Sequence, residues 1–194
     1  MRSLAILLAT VAPAFATGIE IVIEDAEVTD SGVTYTEKGT VVIDLFEDTA
    51  PLAAERLAQL ARDGAYDGVA FHRVMEGFMA QTGDVEMGKP GPDGMVGRRA
   101  GTGDSQYPDL PAEFSTDRAF ERGVVGMART PDPNSANSQF FIMFEAAPFL
   151  DGQYTIVGEV TEGMDVVDTI TRGLGDNGSM LEAPDRMKTV TVVE

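Results

Sequence analysis

The stretch Thr40-Val-Val-Ile-Asp-Leu-Phe46 alternates its side chains, with Val41, Ile43 and Leu45 pointing one way and Val42, Asp44 and Phe46 the other. Such a run forms a strand with one buried face. Seven further short runs rich in β-branched and aromatic residues read as strands, several of them with the same alternation: Ile19 to Ile23, Ala70 to Val74, Phe78 to Thr82, Val124 to Ala128, Phe140 to Phe144, Thr155 to Val160 and Thr189 to Val193. Only two segments carry a helical period. The first follows Thr49 as N-cap, with Pro51 in its opening turn, and ends at Asp63-Gly64. The second runs from about Glu162 to Arg172, with Met164, Val167 and Ile170 on one side and Gly173 as C-cap. A parallel sheet would need a helix at nearly every crossover. The expected fold is therefore mainly β, a closed eight-stranded antiparallel β-barrel capped by two α-helices.

The chain has 194 residues, 43% hydrophobic and 24% charged, as one globular domain would. The absence of cysteine excludes disulfide scaffolds, thiolate metal sites and cysteine nucleophiles, and a single histidine, His72, excludes a zinc site built from several imidazoles. No metal and no cofactor is expected. A formal charge of -18 repels phosphate backbones and anionic headgroups, so nucleic acid is not an expected partner.

At the N-terminus, Arg2, the apolar run Leu4 to Val11 and Ala14-Phe15-Ala16 read as a secretory leader cleaved after Ala16; an uncleaved anchor is the alternative. The run is too short to cross a hydrocarbon core of roughly 30 Å as a helix, and membrane insertion is not expected. Cleavage would remove the cation Arg2 and no acid, taking the charge from -18 to -19. The expected mature domain is 17–194, exported, with the periplasm as its compartment, full secretion as the alternative, and a monomer as its state. Glu24 to Gly39 reads as a hairpin excursion, and the Gly- and Pro-rich segment Gly83 to Arg122 as a long functional loop.

Three stretches could carry chemistry. In Phe71-His-Arg-Val-Met-Glu-Gly-Phe-Met-Ala-Gln-Thr-Gly-Asp84, alternation sets Phe71, Arg73 and Met75 on one side, and a turn at Glu76-Gly77 brings Met79 and Gln81 onto a shared face. One cation, one amide and several apolar groups would then converge. His72 reads as a structural histidine satisfied by backbone hydrogen bonds. The other two stretches are Gly126 to Ile142, a polar loop ending in Gln139-Phe-Phe-Ile142, and Pro148-Phe-Leu-Asp-Gly-Gln-Tyr-Thr155. Each aromatic taken alone would be a core residue.

Together these stretches resemble the cyclophilins, the peptidyl-prolyl cis/trans isomerases, in the order and spacing of Phe71 to Asp84, Ser138-Gln-Phe-Phe-Ile142 and Phe149-Leu-Asp-Gly152 over roughly Gly39 to Glu194. The resemblance implies an eight-stranded antiparallel barrel closed by two helices. It makes Arg73 the catalytic arginine and Phe78, Met79 and Gln81 its neighbours. It sets Gln139 and Phe141 on the next wall, Ala128 and Arg129 along the peptide groove, and Phe149, Leu150 and Tyr154 at its end. Many eukaryotic relatives have tryptophan where this chain has Phe149 and histidine where it has Tyr154. Both changes look like the bacterial branch and imply weak cyclosporin binding, because the indole N–H that contacts the drug is missing.

The implied partners are proline-containing unfolded or partly folded polypeptides, and the implied reaction breaks no bond. Partial double-bond character sets a rotational barrier of roughly 18 to 20 kcal/mol, and as the bond twists the proline nitrogen becomes a hydrogen-bond acceptor to which Arg73 can donate. Two other classes remain: a barrel that holds proline segments without turnover, and an acidic metal-binding protein using Glu24, Asp25 and Glu27. Those three carboxylates more simply form a solvated face.

Overall fold

The alternating run at residues 40–46 is the inner end of a hairpin that extends well past the apolar pattern. Strand β1 (Gly18–Thr29) pairs antiparallel with β2 (Gly32–Leu45) from Gly18 opposite Asp44 to Thr29 opposite Gly32. The expected hairpin excursion is thus a continuation of both strands. The structure is a computed structural model that describes residues 17–194, and the expected leader Met1 to Ala16 lies outside them. After β2 come α1 (Pro51–Arg62), β3 (Arg73–Met75), β4 (Met79–Thr82), β5 (Val124–Met127), β6 (Phe140–Met143), β7 (Ile156–Glu162), α2 (Met164–Asp168) and β8 (Arg186–Val193). Short 3-10 turns lie at Pro148–Leu150 and Asp176–Gly178.

All eight strands join one antiparallel sheet in the order β3-β4-β6-β5-β7-β2-β1-β8. The sheet curls into a half-barrel rather than the expected closed barrel. Its edge strands β3 and β8 share no ladder, and the contact nearest to closure is an isolated bridge between Ala70 and Arg186. The outer edge of β3 is instead covered by the loop that follows α2. Gly173 N–H donates to Val74 O at 3.0 Å, Met180 N–H donates to His72 O at 3.3 Å, and Arg73 bridges to Ser179. Backbone groups already paired to that loop cannot ladder with β8.

Both helices depart from expectation at their ends. The N-cap of α1 is Ala50, whose methyl cannot accept a hydrogen bond, and the free N–H groups of Leu52 and Ala53 donate instead to the Glu113 carboxylate at 3.1 and 2.9 Å. Thr49, expected at the cap, accepts from Arg118 Nε at 3.0 Å. Helix α2 spans five residues rather than Glu162 to Arg172. It starts after Gly163, whose φ of 85° is left-handed, and it ends where the Asp185 carboxylate accepts Thr171 N–H at 2.8 Å and Lys38 Nζ donates to Thr169 O at 2.8 Å. Gly173, the expected C-cap, lies against β3 instead.

Alternation along the sheet produces two apolar layers. Ile19, Ile21, Val41, Ile43, Ala80, Phe140 and Ile142 pack with Leu57 and Leu60 of α1 in the main core. Met79, Phe141 and Met143 alternate with these and form a second cluster with Phe120, Leu150 and Ile156 on the opposite face. That second cluster underlies the site. Glu24 departs from the expected solvated face, being buried and paired with Arg186 at 2.9 Å, while Asp25 lies 3.5 Å from Lys38. Among the described residues no helix is long and apolar enough to cross a membrane.

Candidate active site

Strand register sets the site residues in a row. Arg73 on β3 faces Gln81 on β4, Gln81 faces Phe141 on β6, and Phe141 faces Gly126 on β5. Two residues along, Met75, Met79 and Met143 form a parallel row on the same face. Gly126 is required by this crowding. A Cβ there would collide with the Phe141 ring and come within 2.7 Å of Phe120, whose ring stacks on Phe141 at a centroid distance of 5.7 Å.

Three acceptors hold the Arg73 guanidinium. Its Nε donates to Asn177 O at 2.9 Å, one terminal nitrogen to Gln81 Oε1 at 3.2 Å, and the other to Met75 Sδ at 3.1 Å. A guanidinium has five N–H groups, so one on each terminal nitrogen remains for a ligand. Burial lowers the Arg73 pKa from its ordinary value and the nearby Tyr154 opposes that shift, but an arginine so far above neutrality stays charged. Beyond Gln81, its Nε2 donates to Gln139 Oε1 at 3.0 Å and Gln139 Nε2 donates to Gly103 O at 2.9 Å. Gly103 is fixed in turn by Asp84, a fully buried carboxylate that accepts the N–H groups of Gly101 and Gly103 on one oxygen and of Glu86 and Met87 on the other. The long loop between β4 and β5 is thereby tied to the row.

Beside the guanidinium lies a cleft of about 260 Å³. Met79, Phe141 and Leu150 form its buried floor. Phe78 stacks against Phe149 at 5.7 Å on one side, and Phe149 is 65% exposed. Tyr154 meets Phe141 edge-on at 5.8 Å and lies under Arg129 at 4.4 Å, while Arg129 donates to Gln153 O at 2.8 Å; Ala128 completes this wall. The structure thus brings together ten of the residues singled out in the sequence. Gln139 stands in an adjoining polar pocket of about 120 Å³ that shares Gln81, Ala128 and Arg129.

Two expectations fail here. Phe71 lies in the main core rather than beside Arg73, because β3 begins only at Arg73 and alternation does not extend back to it. The His72 ring is buried, and among the described residues neither nitrogen has a well-formed hydrogen bond, the Ala70 backbone offering only a marginal one; burial pushes its pKa down to about 4. Asn177, Gly103 and Phe120 also shape the site without having been singled out. The first two act through main-chain carbonyls, which leave no side-chain signal, and Asn177 sits at a φ of 55° that asparagine tolerates better than most residues.

Residues 32–192 match the family model described as cyclophilin type peptidyl-prolyl cis-trans isomerase/CLD. The chain is 54% identical over 154 residues to a probable peptidyl-prolyl cis-trans isomerase of Brucella suis, covering 79% of this chain and 78% of that protein. It is 38% identical over 132 residues to peptidyl-prolyl cis-trans isomerase-like 1 of Rhizopus delemar, covering 68% and 74%. A cyclophilin type isomerase of Cryptosporidium parvum superposes with a TM-score of 0.73 at 22% identity, covering 93% of this chain and 99% of that one. The structure of that protein in the presence of the dipeptide Ala-Pro superposes with a TM-score of 0.71.

Proposed function

Because the chain belongs to the cyclophilin-type peptidyl-prolyl cis-trans isomerases, we propose that it turns X-Pro bonds in exported proteins, and that Arg73 accelerates the rotation by donating to the proline nitrogen. The observation that carries this reading is the half-satisfied guanidinium. Arg73 is anchored through Asn177, Gln81 and Met75 and keeps two N–H groups beside an apolar floor of Met79, Phe141 and Leu150. A pyrrolidine ring fits such a floor by apolar contact, leaving the preceding carbonyl free to swing.

The planar amide offers its nitrogen lone pair to resonance, not to a donor, and the twisted amide releases it. Donation from Arg73 therefore strengthens on the way to the transition state, which is the condition for raising turnover rather than affinity alone. A charge-assisted hydrogen bond of about 1.5 to 3 kcal/mol supplies one or two decades at ~1.4 kcal/mol per decade. Desolvation in the apolar cleft adds to this, since the planar form is the more polar one. Guanidinium suits the role because its planar fork can be anchored on one side while it donates on the other.

Export rests on the leader-like Met1 to Ala16. Mass spectrometry of the purified exported protein should give Thr17 as the first residue; an intact Met1 in a membrane fraction would reverse that part. For turnover against mere holding of proline segments, an isomerisation assay on a prolyl peptide decides: catalysis at substoichiometric protein is expected, and protection of the peptide without acceleration would contradict it.

A further inference from the structure

Of the three acceptors that hold Arg73, a main-chain carbonyl, an amide and a thioether, only the Met75 thioether can be converted by an oxidant into a stronger acceptor. We propose that Met75 is an oxidation site, that two-electron oxygen-atom donors of the hydrogen peroxide class act on it, and that its sulfoxide lowers isomerase activity. The inference rests on the reading of Arg73 as the donor to the proline nitrogen.

Accessibility singles out Met75 within its row. Met79 and Met143 are 1% and 0% exposed, whereas Met75 is only half-buried, at the end of the three-residue edge strand β3 and next to the exposed Glu76 and Gly77. In the reaction, a sulfur lone pair attacks one peroxide oxygen. The S–O bond forms as the O–O bond breaks, and the departing oxygen leaves as water once it has taken the remaining peroxide proton. Sulfur is oxidised by two electrons and peroxide is reduced by two. The adjacent guanidinium, with an N–H unused on the nitrogen that already reaches Met75 Sδ, can donate to the departing oxygen as charge develops there.

The product changes what Arg73 can do. A thioether is a weak acceptor that leaves the neighbouring N–H free, whereas a sulfoxide oxygen is a strong, polar acceptor fixed beside the same nitrogen. It would take up the N–H group that the isomerisation needs and pull the guanidinium toward β3. Turnover then falls without loss of the fold, because Met75 lies at the margin of the second apolar cluster and not in the main core.

The test uses wild type, Met75→Leu and Arg73→Ala. Each is assayed on a prolyl peptide before and after titration with hydrogen peroxide, with sulfoxide occupancy at each methionine read by peptide mass spectrometry. In wild type, kcat/KM should fall about ten-fold in step with Met75 sulfoxide, equivalent to ~1.4 kcal/mol, and should return after treatment with methionine sulfoxide reductases. Met75→Leu should keep its own starting activity through the same titration. Full Met75 sulfoxide with unchanged kcat/KM, equal loss in Met75→Leu, or an unmodified Met75 when the half-buried Met87, Met95 and Met164 are oxidised would each overturn the proposal. Unoxidised Arg73→Ala separates the two readings. Near wild-type turnover there would overturn the role of Arg73 itself, whereas a slow Arg73→Ala beside an oxidation-tolerant wild type would overturn only the role of Met75.

Discussion

Arg73 and Gln81 are direct partners across the β3–β4 pair, and the guanidinium donates to Gln81 Oε1 at 3.2 Å. Gln81 is in turn tied through Gln139 to the Gly103 carbonyl, so the arginine stands at the end of a line of hydrogen bonds leading into the loop pinned by Asp84. Replacing Gln81 with leucine removes the anchor while preserving bulk. We expect kcat/KM to fall about ten- to a hundred-fold, the equivalent of losing one hydrogen bond to a charged group, with KM moving less than kcat. An unchanged kcat would show that Arg73 does not need this anchor.

Asp84 accepts four backbone N–H groups with two buried oxygens, an arrangement an amide cannot copy because its nitrogen only donates. Asp84→Asn should therefore lower stability by about 2 to 4 kcal/mol, visible as a lower urea midpoint. Amide exchange at Gly101 and Gly103 should rise as well. A midpoint equal to wild type would remove Asp84 from its place as the pin of this loop.

His72 predicts a pH dependence. Its folded pKa is about 4, held down by burial, against an ordinary value of 6.5. Between those values the unfolded chain binds a proton that the folded chain does not. Its contribution is therefore full above about pH 6.5, declines as pH falls, and is lost below about pH 4, a change of about 3 kcal/mol. Unfolding free energies of wild type and His72→Leu measured from pH 7 to pH 4 should diverge, with the wild type falling more steeply. Parallel curves would mean that the buried imidazole is not held neutral.

Phe149 stacks on Phe78 and is largely exposed, so its ring covers the cleft from outside and brings no N–H donor. Phe149→Trp should leave peptide turnover within about two-fold and tighten cyclosporin inhibition about ten-fold or more, the worth of one hydrogen bond to an otherwise unpaired acceptor. Titration of both proteins in one isomerase assay checks this; equally tight inhibition of the two would refute the argument from the missing donor.

What could be read from the sequence was what depends on side-chain period and local chemistry. Runs of β-branched and aromatic residues, several of them alternating, located all eight strands, and Pro51 with Asp63-Gly64 bracketed α1. Because strand register follows from a two-residue period and a short turn at Glu76-Gly77, the meeting of Arg73, Met79 and Gln81 was also legible. What escaped was set by distant main-chain partners. Glu113 replaces Thr49 at the start of α1, Asp185 and Lys38 stop α2 after five residues, and the 173–180 loop occupies the β3 edge that a closed barrel would give to β8. The poor hydrogen bonding of the His72 ring among the described residues was missed for a related reason, since no periodicity reports the quality of a partner's geometry.

The central claim is that Arg73 raises the rate by donating to the twisted amide rather than by binding the peptide. Arg73→Ala and Arg73→Lys, assayed for kcat and KM on one prolyl peptide with circular dichroism and melting as controls, test it most directly. The account predicts a kcat/KM loss of at least about ten-fold in both, carried mainly by kcat, because an ammonium gathers its three donors on one nitrogen and lacks the planar fork that lets separate guanidinium nitrogens reach Asn177 and Gln81 while others face the cleft. An Arg73→Ala protein that folds and turns over at close to the wild-type rate would contradict it.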